Sequence, residues 1–358
     1  MSRRFGRAER WPLACRNQCV LPNHFVPERK SPRMAYSFKL SRRIARLRAP
    51  AFAALIVALA ACDSTESLDP TSSLAPDAAD EIVVGDEADV LAVPAGEPAL
   101  ASASFAGGIP FGLTAQPVTQ FNGRYNGSKL TLGPKQLVDR LSAVRSRGGK
   151  VAVMLAGNPR HYVDGDGHFS LSKWKARIDL FKKINFDAYI NDGTVIAHYM
   201  LDEPNDKANW NGQQVSPSTL EEMARYSKSI WPNMPTLVRV EPSYLSGNHR
   251  YLDVAWAQYL ARRGNVNDYI KRNVADAQQR GLALVVGLNV IHGGTPNKTR
   301  MTAKEVETYG SALLSSSYPC AFIMWQYNSD YLSSSGIGGA MDALRRKAES
   351  RSSRSCRG

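Results

Sequence analysis

Between residues 105 and 344 the chain alternates two hydrophobic periods. Short runs rich in Val, Ile and Leu are followed by longer segments whose apolar residues recur every three or four positions. The runs predict strands over 109–115, 150–156, 194–201, 236–241, 252–259, 282–290 and 320–327. The longer segments predict helices over 134–147, 171–185, 216–231, 266–279, 302–314 and 338–347. Local chemistry supports these boundaries. Pro134 suits a first helical turn, Leu137, Leu141 and Val144 share one face, and Gly148-Gly149 stop the helix. Leu171, Trp174, Ile178, Phe181 and Ile184 form a stripe on the next helix, and Gly281 ends the one over 266–279. Ser216 caps a helix with Pro217 in its first turn, and Thr302 with Glu305 makes a capping box.

Strands alternating with helices imply a mostly parallel sheet and an α/β fold. The 240 residues of this region match the size of a (β/α)₈ TIM-like barrel, typically about 250 residues. Seven strands are recognisable. Either a short eighth lies between Ala156 and Thr194 or the barrel is irregular. The rival, an open doubly wound sheet, loses ground because no Gly-rich phosphate loop follows the first strand.

Residues 51–61 are uniformly apolar, end at Cys62 and follow Arg42, Arg43, Arg46 and Arg48. This is the layout of a secretory signal. Eleven residues fall short of the roughly 20 that span a membrane. Leu59-Ala60-Ala61-Cys62 resembles the lipobox of bacterial lipoproteins, which implies that Cys62 is lipidated. Met34 is the better start, making 1–33 a misassigned or disordered extension and 34–61 the lipoprotein signal peptide. Residues 62–104, rich in Asp, Glu, Ser, Ala and Pro, read as a flexible acidic tether. The expected location is the cell envelope, anchored on its periplasmic or extracellular face.

Charge follows the same divisions. The chain is +13 overall, yet residues 51–105 hold 10 acids and no base. Residues 1–50 hold 13 Lys and Arg, and the tail 345–358 holds six bases against one acid. The tail reads as basic and disordered. The remaining positive charge is spread along the body without aromatic interleaving, which argues against a nucleic-acid partner. An exported location permits a Cys320–Cys356 disulfide, although spacing alone does not give its geometry.

Four of the expected strands end on a polar residue followed by proline: Gln116-Pro117, Asn158-Pro159, Glu203-Pro204 and Glu241-Pro242. A residue before proline is held extended, and proline cannot continue a ladder. Each polar group is therefore placed at a strand's C-terminal end, the face that carries active sites in parallel barrels. Two are glutamates, and paired carboxylates cleave glycosidic bonds when about 5–5.5 Å apart (retention) or 6.5–9.5 Å apart (inversion). Neighbouring strands lie about 4.8 Å apart, so Glu203 and Glu241 suit either outcome.

Leu201-Asp202-Glu203-Pro204 resembles the turn after the fourth strand in (β/α)₈ glycoside hydrolases, where the glutamate is the acid/base. The resemblance implies that role for Glu203 and less directly for Asp202. Side-chain alternation predicts that only one of the two looks into the barrel mouth. In the large retaining clan the nucleophile follows the seventh strand. Here that strand reads Val286-Gly287-Leu288-Asn289-Val290 and has no acid. Glu241 is then either the second carboxylate or a salt-bridge partner of Arg239 or a nearby lysine.

Trp325-Gln326-Tyr327 ends the last strand and, with 336–342, resembles the end of lysozyme-like muramidase barrels. An aromatic face beside an amide suits a sugar. Trp256-Ala257-Gln258-Tyr259 repeats the theme. Candidate substrate contacts are therefore Trp325, Gln326, Tyr327, Gln258, Asn289, Asn158, Gln116 and His198, the last being alternatively a satisfied interior histidine.

Asp164-Gly165-Asp166-Gly167-His168 resembles the start of a calcium loop. Phe169 and Lys175 stand where glycine and glutamate are needed, which favours a glycine turn. His161, His198 and His292 have no metal-like spacing, no CxxC occurs in the body, and no G-x-S-x-G elbow is present. The expectation is an enzyme of the glycosidase type needing no cofactor or metal, with a polysaccharide or oligosaccharide as partner. The alternative is a non-catalytic carbohydrate-binding envelope lipoprotein.

Overall fold

In the computed structural model eight parallel strands close into a barrel in sequence order. They are β1 (Phe111–Thr114), β2 (Gly127–Thr131), β3 (Lys150–Met154), β4 (Val195–Asp202), β5 (Thr236–Arg239), β6 (Val254–Tyr259), β7 (Ala283–Leu288) and β8 (Ala321–Met324). The structure describes residues 107–245, 247 and 249–357. The expected extension, signal peptide, Cys62 and tether lie outside these residues.

The fold is the (β/α)₈ barrel, but its eighth strand is not where the sequence placed it. The missing strand is β2, ahead of the first helix rather than between Ala156 and Thr194. Its residues Gly127-Ser128-Lys129-Leu130-Thr131 include one large apolar side chain and carry no apolar period. No helix separates it from β1, only a single 3-10 turn over Val118–Gln120. Among its described residues the link from β5 to β6 likewise holds a 3-10 turn, Pro242–Tyr244, and no helix. The interval between Ala156 and Thr194 holds α2 (Leu171–Asp179) and α3 (Asp187–Asn191) instead of one helix over 171–185.

The other helices follow the sequence closely. They are α1 (Leu137–Ser146), α4 (Pro217–Ile230), α5 (Val266–Gln279), α6 (Ala303–Ser315), the short α7 (Ser329–Leu332) and α8 (Ile337–Glu349). Ser216 caps α4 by accepting from the Thr219 N–H, and Thr302 and Glu305 form the capping box of α6.

Two apolar layers hold the barrel. One lies between strands and helices and includes Leu113, Trp174, Met200 and Leu313. The other fills the barrel with Met154, Tyr199, Leu237, Val254, Trp256, Val285 and Ile323, so the interior is packed rather than a pore. Gly287 is needed where β7 and β8 approach: a Cβ there would lie 1.7 Å from the Ile323 carbonyl oxygen.

The tail is not loose. Cys356 is disulfide-bonded to Cys320 and belongs to the interior layer. Arg351 donates to the Pro319 carbonyl at 3.0 Å, and the Arg354 guanidinium lies 4.1 Å from the Tyr318 ring centroid. The expectation of a disordered segment over 345–358 came from its charge, which says nothing of a covalent tie.

Candidate functional site

The site is built where β4 and β5 end. Tyr199 pairs with Leu237 but Leu201 pairs with Val238, so β4 carries one extra residue at a bulge. Ala197 and Tyr199 face the interior. Without the bulge Asp202 would share the outward face of His198 and Met200. The extra residue shifts the alternation and turns Asp202 inward, opposite Arg239.

Glu203 reaches the same arginine by a different device. Its φ is +37°, a left-handed conformation, although a residue before proline was expected to stay extended. Three hydrogen bonds hold it there. Its N–H donates to the Arg239 carbonyl at 3.1 Å, and its own carbonyl accepts from the Asp206 N–H at 3.0 Å and from Trp210 Nε1 at 3.2 Å. Such a conformation in a non-glycine residue costs on the order of 1–3 kcal/mol and persists only where the surroundings over-determine it. Asp202 and Glu203 therefore both turn toward the mouth, correcting the expectation that only one would.

Arg239 is the hub. Its side chain is 9% exposed. Its Nε donates to Asp202 Oδ1, Nη1 donates to Gln258 Oε1 at 2.7 Å, and Nη1 lies 3.5 Å from Glu203 Oε1. The guanidinium sits 5.4 Å from the centroid of the Trp325 ring. On β2, Lys129 is 3% exposed, with its ammonium 5.3 Å from the Tyr199 ring centroid.

These charges divide the two adjacent acids. Burial pushes the Asp202 carboxyl up, but Arg239 and, more weakly, Lys129 and Tyr199 bring it below the ordinary value, so it stays ionised. Arg239 pulls the Glu203 carboxyl down. Desolvation together with the charges of Asp202 and Asp206 outweighs that pull and raises its proton affinity. Two carboxyls with proton affinities pushed apart are the arrangement general acid catalysis uses.

A cavity of about 530 Å³ opens beside them, lined by Glu203, Arg239, Glu241, Tyr244, Trp256 and Gln258, with Arg262 and Arg263 also on its wall. Glu203 and Glu241, from the ends of adjacent strands, thus share one cavity. Glu241 is ion-paired to Arg263, not to Arg239 or a lysine. Buried polar atoms without a protein partner point to what the interior can bind. Trp256 Nε1 and Gln258 Nε2 belong to cavity-lining residues, and Thr114 Oγ1 and Gln116 Nε2 sit at the end of β1.

The remaining candidates separate. Gln116 folds back into the barrel, its Oε1 accepting from the Leu113 N–H at 3.1 Å. Trp325 packs on Arg239, and Gln326 beside it is half-buried. Tyr327 packs against the outer layer, and its N–H donates to the Thr114 carbonyl. Asn158 caps the turn Pro159–His161 by accepting from the Arg160 N–H, and Asn289 Oδ1 accepts from the His292 N–H at 2.8 Å. Neither lines the cavity.

His198 is not a substrate contact. It faces the helices, stacked on Trp174, with Nδ1 2.8 Å from Ser227 Oγ. Burial lowers its pKa to about 3, so it is a neutral core residue. The Asp164–His168 loop is a turn in which Asp164 Oδ1 accepts from the N–H groups of Asp166 and His168. The ligating atoms of Asp164, Asp166 and His168 lie within 4.8 Å of one another at the surface.

Sequence reasoning missed Lys129, Tyr244 and Arg263, and gave Arg239 only a bystander's place. For Arg239 a signal existed: a cation inside the apolar run Leu237-Val238-Arg239-Val240 is expensive unless partnered. Lys129 was hidden with the strand that bears it.

No protein-family model matches the chain. No curated protein matches it either. Solved structures with a similar fold include the catalytic domain of the major endoglucanase of Xanthomonas campestris pv. campestris, at 11% identity over 67% of this chain and 94% of that one, TM-score 0.42. They also include an endo-β-1,4-mannanase of Cellulomonas fimi (13% identity, 70% and 72% coverage, TM-score 0.44). A GH18 chitinase of Pseudoalteromonas aurantia gives 11% identity, 66% and 99% coverage and a TM-score of 0.41. Similarity at this level concerns the fold alone and assigns no residue a role.

Proposed function

We propose that the protein hydrolyses a glycosidic bond in a polysaccharide or cell-wall glycan, with Glu203 as the general acid. The observation that carries this reading is the Glu203 carboxyl itself. It has raised proton affinity, it is held by a strained backbone beside the ionised Asp202, and it lines a cavity that contains a second carboxylate. Glu203 gives its proton to the leaving-group oxygen as the C–O bond breaks and positive charge develops on the departing sugar carbon. Glu241, freed from Arg263, either directs a water to that carbon or bonds to it before water displaces it. The water adds its hydroxyl to the sugar and its proton returns to the carboxylates. Asp202 does not exchange protons in this cycle. Its charge, fixed by Arg239, keeps the Glu203 proton in place. Arg263 is 40% exposed in its side chain, so releasing Glu241 exposes no buried cation.

A second reading, sugar binding without cleavage, rests on one observation: Asp202 and Glu241 are both ion-paired to arginines. A glycan panel scored for new reducing ends separates the two. Release that falls about 10²–10⁴-fold in Glu203→Gln supports the hydrolase. Binding without release by the wild type supports the alternative. The lipid anchor at Cys62 and an envelope location belong to the same proposal and rest on the pattern over 42–62. Among the described residues no helix is long and apolar enough to cross a membrane.

A further inference from the structure

We infer that the site takes an acidic sugar, a residue carrying a carboxylate or a sulfate ester, and that Lys129 is the residue that selects it. The inference rests on the glycan reading above. Lys129 is 3% exposed, and its ammonium meets one oxygen at hydrogen-bond range, Thr131 Oγ1 at 3.5 Å. Thr131 is exposed, so the ammonium is held just beneath the mouth of the barrel. An ammonium has three protons to donate, and a buried one short of acceptors is costly. The Tyr199 ring and the Asp202 charge attract it, but neither accepts a hydrogen bond from it. In register with it on β1 is Thr114, whose Oγ1 is buried without a partner, and Gln116 Nε2 near by is unpartnered too. All three can donate, and among the described residues Thr131 Oγ1 is the one acceptor any of them meets.

The charge balance has the same sense. Two buried cations, Lys129 and Arg239, face one firmly ionised acid, Asp202, which Arg239 already holds. When Glu203 carries the proton needed for catalysis, this group has one positive charge in excess. Arg262 adds a further cation on the cavity wall, with no ion pair among the described residues. A sugar carboxylate or sulfate entering the mouth would neutralise the excess and accept from the unpartnered donors. A neutral sugar would leave the ammonium as it is.

The test is calorimetric binding to the full protein of three probes: an oligogalacturonate, its fully methyl-esterified uncharged counterpart, and a sulfated galactan oligosaccharide. The expected result is a preference for one of the charged probes over the ester by about 10–100-fold, the worth of a charge-assisted hydrogen bond. Whichever charged probe wins identifies the anion. Lys129→Met should abolish the preference and Lys129→Arg should keep it, both checked by thermal melting. Should Lys129→Met not fold, exposed Arg262→Gln carries the test by weakening the charged probe several-fold more than the ester. Equal binding of ester and charged probes overturns the inference, and cleavage of the neutral probe in that case leaves the hydrolase reading standing. Selective binding of a charged probe without cleavage supports the inference and removes the hydrolase. Binding of none overturns both.

Discussion

Arg239→Met is the substitution whose consequences the site geometry defines most closely. Methionine keeps the apolar stem and removes the cation from Asp202, Glu203, Gln258 and the face of Trp325. Breaking one side of a buried ion pair costs about 3–5 kcal/mol. Asp202 is 20% exposed in its side chain and keeps the attraction of Lys129, so the lower end applies. For a domain of this size about 3 kcal/mol corresponds to roughly 6–12 °C in Tm at pH 7. The pH dependence gives the sign. In the wild type the folded-state pKa of Asp202 is depressed, so its contribution to stability is present above the unfolded value of about 3.9 and is lost as pH falls through the folded value. In Arg239→Met burial dominates and the pKa rises, so the penalty is full at neutral pH and fades toward acid. The Tm gap between the two proteins should therefore narrow steadily from pH 7 to about pH 4. Adding Asp202→Asn to Arg239→Met should recover at least half of the loss at pH 7. Thermal melting of the three proteins across pH is the assay. A loss below 2 °C at pH 7, or a gap that widens toward acid, would refute the assignment of Arg239 as partner of a buried carboxylate.

Other outcomes follow from single features. Cys356→Ser, or reduction of the wild type, opens a cross-link over a sequence separation of 36 residues and should cost about 2–4 kcal/mol by melting; an unchanged Tm would mean the tail adds nothing to the barrel. Glu203→Gly relieves the left-handed backbone and should raise Tm while removing activity, whereas a fall in Tm would show that residue 203 is unstrained. His198 should show no midpoint between pH 5 and 8 in imidazole NMR, and a midpoint near 6.5 would contradict its burial. Mass spectrometry of the exported protein should find an acylated Cys62 at its N-terminus, and intact residues before it would exclude the lipoprotein processing.

The parts of the fold that proved legible were those with a period. Seven strands and most helices follow from apolar spacing and caps such as Ser216 and Thr302, because burial against a helix layer imposes that spacing. β2 was not legible: Gly127, Lys129 and Thr131 interrupt any apolar pattern, and no helix marks its beginning. The proline-terminated strand ends led to Glu203 and Glu241, since proline acts locally. Which way Asp202 and Glu203 turn depends on a bulge and a positive φ, and neither leaves a mark in residue types. The hub role of Arg239 depends on contacts between strands, and the fate of the basic tail depends on Cys320, 36 residues away.

The most direct test of Glu203 as general acid is a crystal structure of the Glu203→Gln protein soaked with an oligosaccharide that the wild type cleaves. The account predicts the sugar in the cavity between residues 203 and 241, with the glycosidic oxygen about 2.6–3.2 Å from the residue 203 amide. It also predicts the bonded sugar carbon facing Glu241 directly or through one water. A sugar bound elsewhere on the barrel, or one whose glycosidic oxygen lies beyond reach of residue 203, would contradict it.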